Sequence, residues 1–198
     1  MSPAALSIVD KIVVLHERLG RARLPHAFGG ALALAWCTER ARGTIDIDLN
    51  VFVDAERADE VFAAMPAGVH RDADDLERCR RDGQVRIWWD TTPIDLFTNT
   101  TEFHDAAAGR AVVHEFASVP VPFLSCTDVA VFKAFFDRPK DWVDIDEMLA
   151  VGTLDVDTTL GVLVRYLGAG DHRVQRFADR ARSASARAGA AGGGDEHP

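Results

Sequence analysis

His26-Ala27-Phe28-Gly29-Gly30-Ala31-Leu32-Ala33-Leu34-Ala35 is followed, a few residues on, by Arg42-Gly43-Thr44-Ile45-Asp46-Ile47-Asp48-Leu49-Asn50-Val51. The first stretch reads as a short strand, a double-glycine turn and an alanine-rich helix, residues 31–39, because bare glycine backbone lets the chain reverse sharply. The second reads as a strand over residues 44–53. Alternation along it sets Asp46 and Asp48 on one face and packs Ile45, Ile47 and Leu49 on the other. Aspartate is depleted in strands, and two carboxylates about 4 Å apart repel by on the order of 4 kcal/mol at an effective dielectric near 20. Something cationic has to offset that repulsion.

Working outward, residues 4–19 carry apolar side chains at helical spacing behind a Ser2-Pro3 cap, with Gly20 as the stop. Residues 55–65 read as a helix ended by Pro66, whereas the charged run 72–81 is open between helix and loop. Gln84 to Trp89 and Pro93 to Thr98 read as the arms of a hairpin joined through Asp90-Thr91-Thr92-Pro93. Its second arm places Asp95 between Ile94 and Leu96. A helix over 102–108 and strands over 111–116 and 119–123 follow. From Ser125 the pattern turns helical: 125–136, 139–149, 157–167 and 171–182. The expected organisation is an α/β (α+β) catalytic domain over 1–124, a C-terminal helical segment over 125–182 that closes a cleft, and a disordered Ala/Gly/Ser tail over 183–198.

Composition narrows the function. With 198 residues, 47% of them apolar, the chain can bury a sizeable core. A net charge of −9 argues against broad binding to nucleic-acid backbone. Cys37, Cys79 and Cys126 form no close pair and read as reduced thiols, which, with no signal pattern and no long apolar run, suggests a cytoplasmic protein without membrane contact. No histidine sits in a metal-ligand pattern and no serine in a nucleophile elbow. Of Trp88 and Trp89, adjacent in a strand, at most one lines a cleft and at least one is core.

Asp46, Asp48 and Asp95 are the carboxylates set among apolar strand residues, and hard divalent cations such as Mg²⁺ take such oxygens along with waters and substrate phosphates. Gly29-Gly30 ahead of a helix suits an anion, since free amides and the helix dipole attract phosphate. A solvated sheet face and a tight turn are the plain alternatives.

Gly29-Gly30, Arg42-x-Thr44-x-Asp46-Ile47-Asp48 and Pro93-Ile94-Asp95-Leu96 together resemble the polymerase-β-like nucleotidyltransferase superfamily, in order and spacing. The later segment Lys133-Ala134-Phe135-Phe136-Asp137-Arg138-Pro139-Lys140-Asp141-Trp142-Val143-Asp144-Ile145 looks like the helix pair of its AbiEii-toxin-like, minimal branch. The resemblance implies a mixed β-sheet flanked by helices. It also implies one or two Mg²⁺ ions (or Mn²⁺) on Asp46, Asp48 and Asp95, with Asp95 helping to deprotonate the acceptor hydroxyl, and a triphosphate along Gly29 and Gly30. Arg42, Thr44, Lys133, Arg138, Lys140 and Asp141 would bind nucleotide or acceptor. Where many relatives have Ser or Thr after the glycines, this chain has Ala31, which lacks a hydroxyl for phosphate. Arg42 serves equally as a brace for the acidic strand, and Lys133 as a lysine snorkelling past core.

The implied activity is transfer of a nucleoside monophosphate from an NTP to a hydroxyl of tRNA or a protein, as the toxin of a bacterial toxin–antitoxin pair with a cognate antitoxin. A metabolic or antibiotic nucleotidyltransferase is one alternative, and a catalytically silent nucleotide-binding module of the same fold is another. Arg165, Arg173, Arg176, Arg180 and Arg182 give the C-terminal helices a basic side that faces either RNA or solvent.

Overall fold

In the computed structural model, which describes residues 6–192, alternating side chains build the centre of a mixed sheet. The strands are β1 (His26–Phe28), β2 (Ile47–Asp54), β3 (Val69–His70), β4 (Gln84–Trp89), β5 (Thr92–Asn99), β6 (Val112–Phe116) and β7 (Val119–Phe123), in the spatial order β3-β4-β5-β2-β1-β7-β6. The β2–β5 and β1–β7 pairs are parallel and the other pairs antiparallel. Register joins Ile47, Ile94 and Ile87 in one cross-strand row and Leu49, Leu96 and Val85 in the next. All six are buried. Each full burial of this kind contributes roughly 1.5–3 kcal/mol, so these rows fix which face turns inward.

The helices are α1 (Ile8–Arg21), α2 (Gly30–Cys37), α3 (Ala58–Ala64), α4 (Ala73–Asp82), α5 (Glu102–Ala108), α6 (Cys126–Phe136), α7 (Pro139–Val151), α8 (Val156–Leu167) and α9 (His172–Gly192). Contacts divide the chain into two units. The first takes the chain up to Ala33 and Arg42–Ser125; the second takes Leu34–Ala41 and the chain from Cys126 on.

Within the first unit, α1 begins later than its sequence pattern suggested. Ser7 and Asp10 close a reciprocal capping box, and the helix runs through Gly20 to Arg21. The expected Ser2-Pro3 cap lies outside the described residues. Lys11 of α1 is buried; its ammonium donates to the Trp89 carbonyl at 2.8 Å and the Thr92 hydroxyl at 3.0 Å and faces Asp90 at 3.2 Å, tying the β4–β5 turn to the helix. Residues 55–65 split into a 3₁₀ turn, Ala55–Arg57, and α3. The charged run left open in the sequence is helical: Asp72 and Asp75 form a second capping box, and Gly83, at φ +67°, ends α4.

The expected strand over 44–53 is shorter than its pattern. Regular pairing starts at Ile47, and Ile45, expected to pack inward, is 83% exposed in the bend before it. Likewise α2 ends at Cys37, and Glu39 takes a left-handed conformation at φ +53°.

In the second unit, the cysteine expectation is overturned. Cys37 and Cys126 form a disulfide between Cα atoms 5.4 Å apart, and Cys79 alone is a free thiol. Their 89-residue separation hides the pair in the sequence. Asp137 joins α6 to the helices after it, accepting from the Trp142 indole at 2.7 Å and pairing with His172 at 2.8 Å. Of the tail expected to be disordered over 183–198, residues 183–192 continue α9, since alanine is the strongest helix former, and residues 193–198 lie outside the described residues. Among the described residues, no helix is long and apolar enough to cross a membrane.

Candidate active site

The same register that stacks apolar rows inward sets a polar row on the opposite face. Asp48 of β2 lies beside Asp95 of β5, and Asp95 beside Arg86 of β4. Arg86 donates to both oxygens of Asp95, each at 2.6 Å, a bidentate fork that suits a planar guanidinium. The Arg86 side chain is 51% exposed and that of Asp95 is 22% exposed. Hydrogen bonding to Asp95 and its charge hold the guanidinium firmly ionised against slight desolvation, and the charges of Asp46 and Asp48 act in the same direction. Arg86, a residue the sequence reading passed over, thus places a cation within the carboxylate row.

The double glycine meets this row from β1. The Gly29 amide donates to the Asp48 carbonyl at 2.8 Å, extending the β1–β2 ladder, and the Gly29 carbonyl accepts from Ala33 in the first turn of α2. Gly30 turns at φ +54°, and a Cβ there would lie 1.8 Å from Oδ2 of Asp48. Glycine is thus required twice, by the left-handed backbone and by a carboxylate occupying the space of a side chain. Beside Gly29 a Cβ would stand 3.0 Å from the Asn50 amide nitrogen and 3.1 Å from Leu124.

Asp46 lies in the bend before β2, so strand alternation does not orient it. The Thr44 hydroxyl donates to its carboxylate at 2.6 Å and accepts from its amide at 3.3 Å, closing a local turn. Arg42 is half-buried two residues earlier. Trp89 is core at 5% exposure, whereas Trp88, two residues along β4 from Arg86, is 45% exposed on the carboxylate side of the sheet.

The remaining candidates come together in the second unit, around a different carboxylate pair. The Lys133 ammonium, 13% exposed, contacts Asp144 at 2.6 Å and Asp141 at 3.4 Å. Asp141 is fully buried and accepts from Arg138 Nε at 2.6 Å and Nη2 at 3.1 Å. Burial pushes its carboxyl up, but the Arg138 hydrogen bond and the charges of Lys133 and Arg138 outweigh this and hold it below the ordinary range. Lys140 is exposed in the first turn of α7. On the basic side of the C-terminal helices, Arg173 pairs with Asp171, Arg176 with Asp137, Arg180 with Asp146 and Arg182 with Asp179, so those charges are largely answered from within.

Mg²⁺, which the sequence resemblance implies, can be tested against this donor set. Asp48 and Asp95 are hard oxygen donors in register on adjacent strands, and Gly30 leaves space at Asp48 for a ligand-bearing carboxylate; both suit the ion. In the conformation seen, among the described residues no three His, Cys, Asp or Glu side chains are gathered to hold a metal, since Asp95 is turned onto Arg86 and Asp46 onto Thr44. The donors fit by type and place; the position beside Asp95 is taken by a guanidinium.

No protein-family profile and no curated protein matches the chain. Solved structures do. One is ANT(2'')-Ia in complex with adenylyl-2''-tobramycin, at 16% identity over 91% of this chain and 98% of that one, with a TM-score of 0.50. The solution structure of the same antibiotic-resistance factor covers 92% and 93% at 16% identity, TM-score 0.49. A nucleotidyltransferase candidate from H. pylori covers 98% and 100% at 16% identity, TM-score 0.46. With the mixed sheet and its helices described above, the first of these likenesses establishes that the chain has the α/β nucleotidyltransferase fold.

Proposed function

We propose that the chain is a nucleotidyltransferase that moves a nucleoside monophosphate from an NTP to an acceptor hydroxyl, with Asp46, Asp48 and Asp95 as its carboxylates. The observation that carries this reading is the junction of Gly30 with Asp48, in register with Asp95: a glycine turn at the start of a helix, opening directly onto paired acids. With the Gly29 amide already bonded to the Asp48 carbonyl, phosphate oxygens would be taken by backbone at the start of α2, standing in for the hydroxyl that Ala31 lacks. Bound Mg²⁺ would neutralise the phosphates and lower the cost of charge build-up at the transferred group. Asp95 would orient the acceptor hydroxyl and accept its proton once Arg86 releases it.

For the acceptor, a net charge of −9 and the internally paired arginines of α9 favour a small hydroxylated molecule or a protein over tRNA. The adenylyl-aminoglycoside bound to ANT(2'')-Ia makes an aminoglycoside-like compound the first to try. The AbiEii-like segment around Lys133 keeps a toxin with its antitoxin as the rival. A silent nucleotide-binding module is a second reading, favoured by the guanidinium on Asp95 and by Ala31.

The test incubates the protein with each α-labelled NTP and Mg²⁺, in parallel with an aminoglycoside panel, bulk tRNA and a protein extract, beside Asp48→Asn. The expected result is label on one acceptor class, reduced at least about a hundredfold in the variant. Label that survives Asp48→Asn removes the carboxylates from the mechanism. NTP binding without transfer in any arm leaves the silent module.

A further inference from the structure

We infer that Arg86 is the built-in counter-cation of the carboxylate row, holding Asp95 in the metal-free chain and yielding it to a divalent ion, so that Arg86 sets how tightly the ion binds. This rests on the reading of Asp48 and Asp95 as metal donors. Three adjacent strands present Asp48, Asp95 and Arg86 side by side on one face, and like charges directly opposite each other across a sheet destabilise it unless a cation intervenes. Arg86 supplies that cation through two bonds of 2.6 Å, and its charge interacts with Asp46 and Asp48 as well.

The three acids are held differently. The Thr44 hydroxyl donates to Asp46, Gly30 makes room for Asp48, and Asp95 accepts both bonds of the Arg86 guanidinium from the neighbouring strand. Half of the Arg86 side chain already meets solvent, so the guanidinium has water to turn into when Asp95 is taken. A doubly charged ion attracts the same carboxylate more strongly and accepts several oxygens at once, so the guanidinium turns outward while the ion takes its place. Arg86 is therefore a competitor for Asp95: its guanidinium occupies the two carboxylate oxygens that the ion would take.

The test is Mn²⁺ titration of the full chain, followed by the electron paramagnetic resonance of the free ion, without nucleotide. Arg86→Gln and Arg86→Met, each checked for native circular dichroism, are expected to bind Mn²⁺ about tenfold tighter than the unaltered protein, because a competing positive charge is gone. Arg86→Lys, which keeps the charge, is expected within about threefold of the unaltered value. A merely structural arginine predicts binding unchanged or weakened in all three, and that result overturns the inference. If neither the unaltered protein nor the Gln and Met variants bind Mn²⁺ up to millimolar concentration, the metal reading itself falls and the inference falls with it. That outcome is distinct from an unaltered protein that binds and variants that bind no tighter.

Discussion

Two carboxylate–cation clusters in this protein use nearly the same chemistry and are built for different ends. On the open face of the sheet, Arg86 grips Asp95 in a bidentate pair with the arginine half in solvent. In the second unit, Lys133 and Arg138 converge on Asp141, which has no exposed surface, with Asp144 beside it. Removing one partner of a buried cluster strands charge in low dielectric, whereas an exposed pair trades its bond for water at little cost. The two arginines are equally exposed, 51% each, so the difference lies in the acids and in Lys133: buried Asp141 and the 13%-exposed Lys133 hold helices together, whereas the 22%-exposed Asp95 is held by an arginine that can be exchanged for a ligand. The residues that the resemblance placed at a nucleotide, Lys133, Arg138 and Asp141, are paired with one another in this conformation.

The contrast is sharpest in stability. Asp141→Ala should cost about 3–5 kcal/mol and lower the melting temperature on the order of 10 °C, measured by calorimetry; a drop near zero would place the cluster in solvent and erase the distinction. The acid limb of the stability curve reads the same group. The folded Asp141 carboxyl lies below its ordinary value of 3.8, so its contribution is complete above that value and is lost as pH falls through the lowered folded one. Stabilities of the unaltered protein and Asp141→Ala should therefore converge in strong acid.

A smaller effect belongs to the first unit, where a buried histidine pair contrasts with the open face. His26 Nδ1 donates to the Leu24 carbonyl at 2.8 Å, which leaves Nε2 to accept from His16 Nδ1 at 2.9 Å. Desolvation holds both below the ordinary 6.5 and favours the neutral forms. The unfolded chain then binds more protons, and stability should fall as pH drops below about 6.5. Urea midpoints between pH 7.5 and 5.5 measure this, and a slope unchanged in His16→Asn would remove the pair as its cause. Smallest is Arg86→Gln, expected to shift stability by less than about 1 kcal/mol; a loss as large as that of Asp141→Ala would make Arg86 structural.

Much of the sheet was legible because burial on one face imposes a period of two: Ile47, Leu49, Ile94 and Leu96 read inward and are inward. The same rule misled at Ile45, since a period cannot say where pairing begins, and the Thr44–Asp46 turn delays it to Ile47. Arg86 was missed through the hairpin. The expected arms leave residues 90–92 between them and set Arg86 opposite Leu96, whereas the observed two-residue turn at Asp90-Thr91 places Trp89 opposite Thr92 and hence Arg86 opposite Asp95. Ser7-x-x-Asp10 is a capping box in plain sight, overlooked in favour of Ser2-Pro3. The Cys37–Cys126 pair and the Lys133–Asp144 contact depend on how helices pack, which no local pattern encodes.

The most direct measurement is anomalous diffraction from crystals of the protein grown with Mn²⁺. The account predicts a manganese peak about 2.0–2.6 Å from carboxylate oxygens of Asp48 and Asp95, with the Arg86 guanidinium turned away from Asp95. A metal-free carboxylate row at saturating Mn²⁺, with Arg86 still bidentate on Asp95, would contradict it.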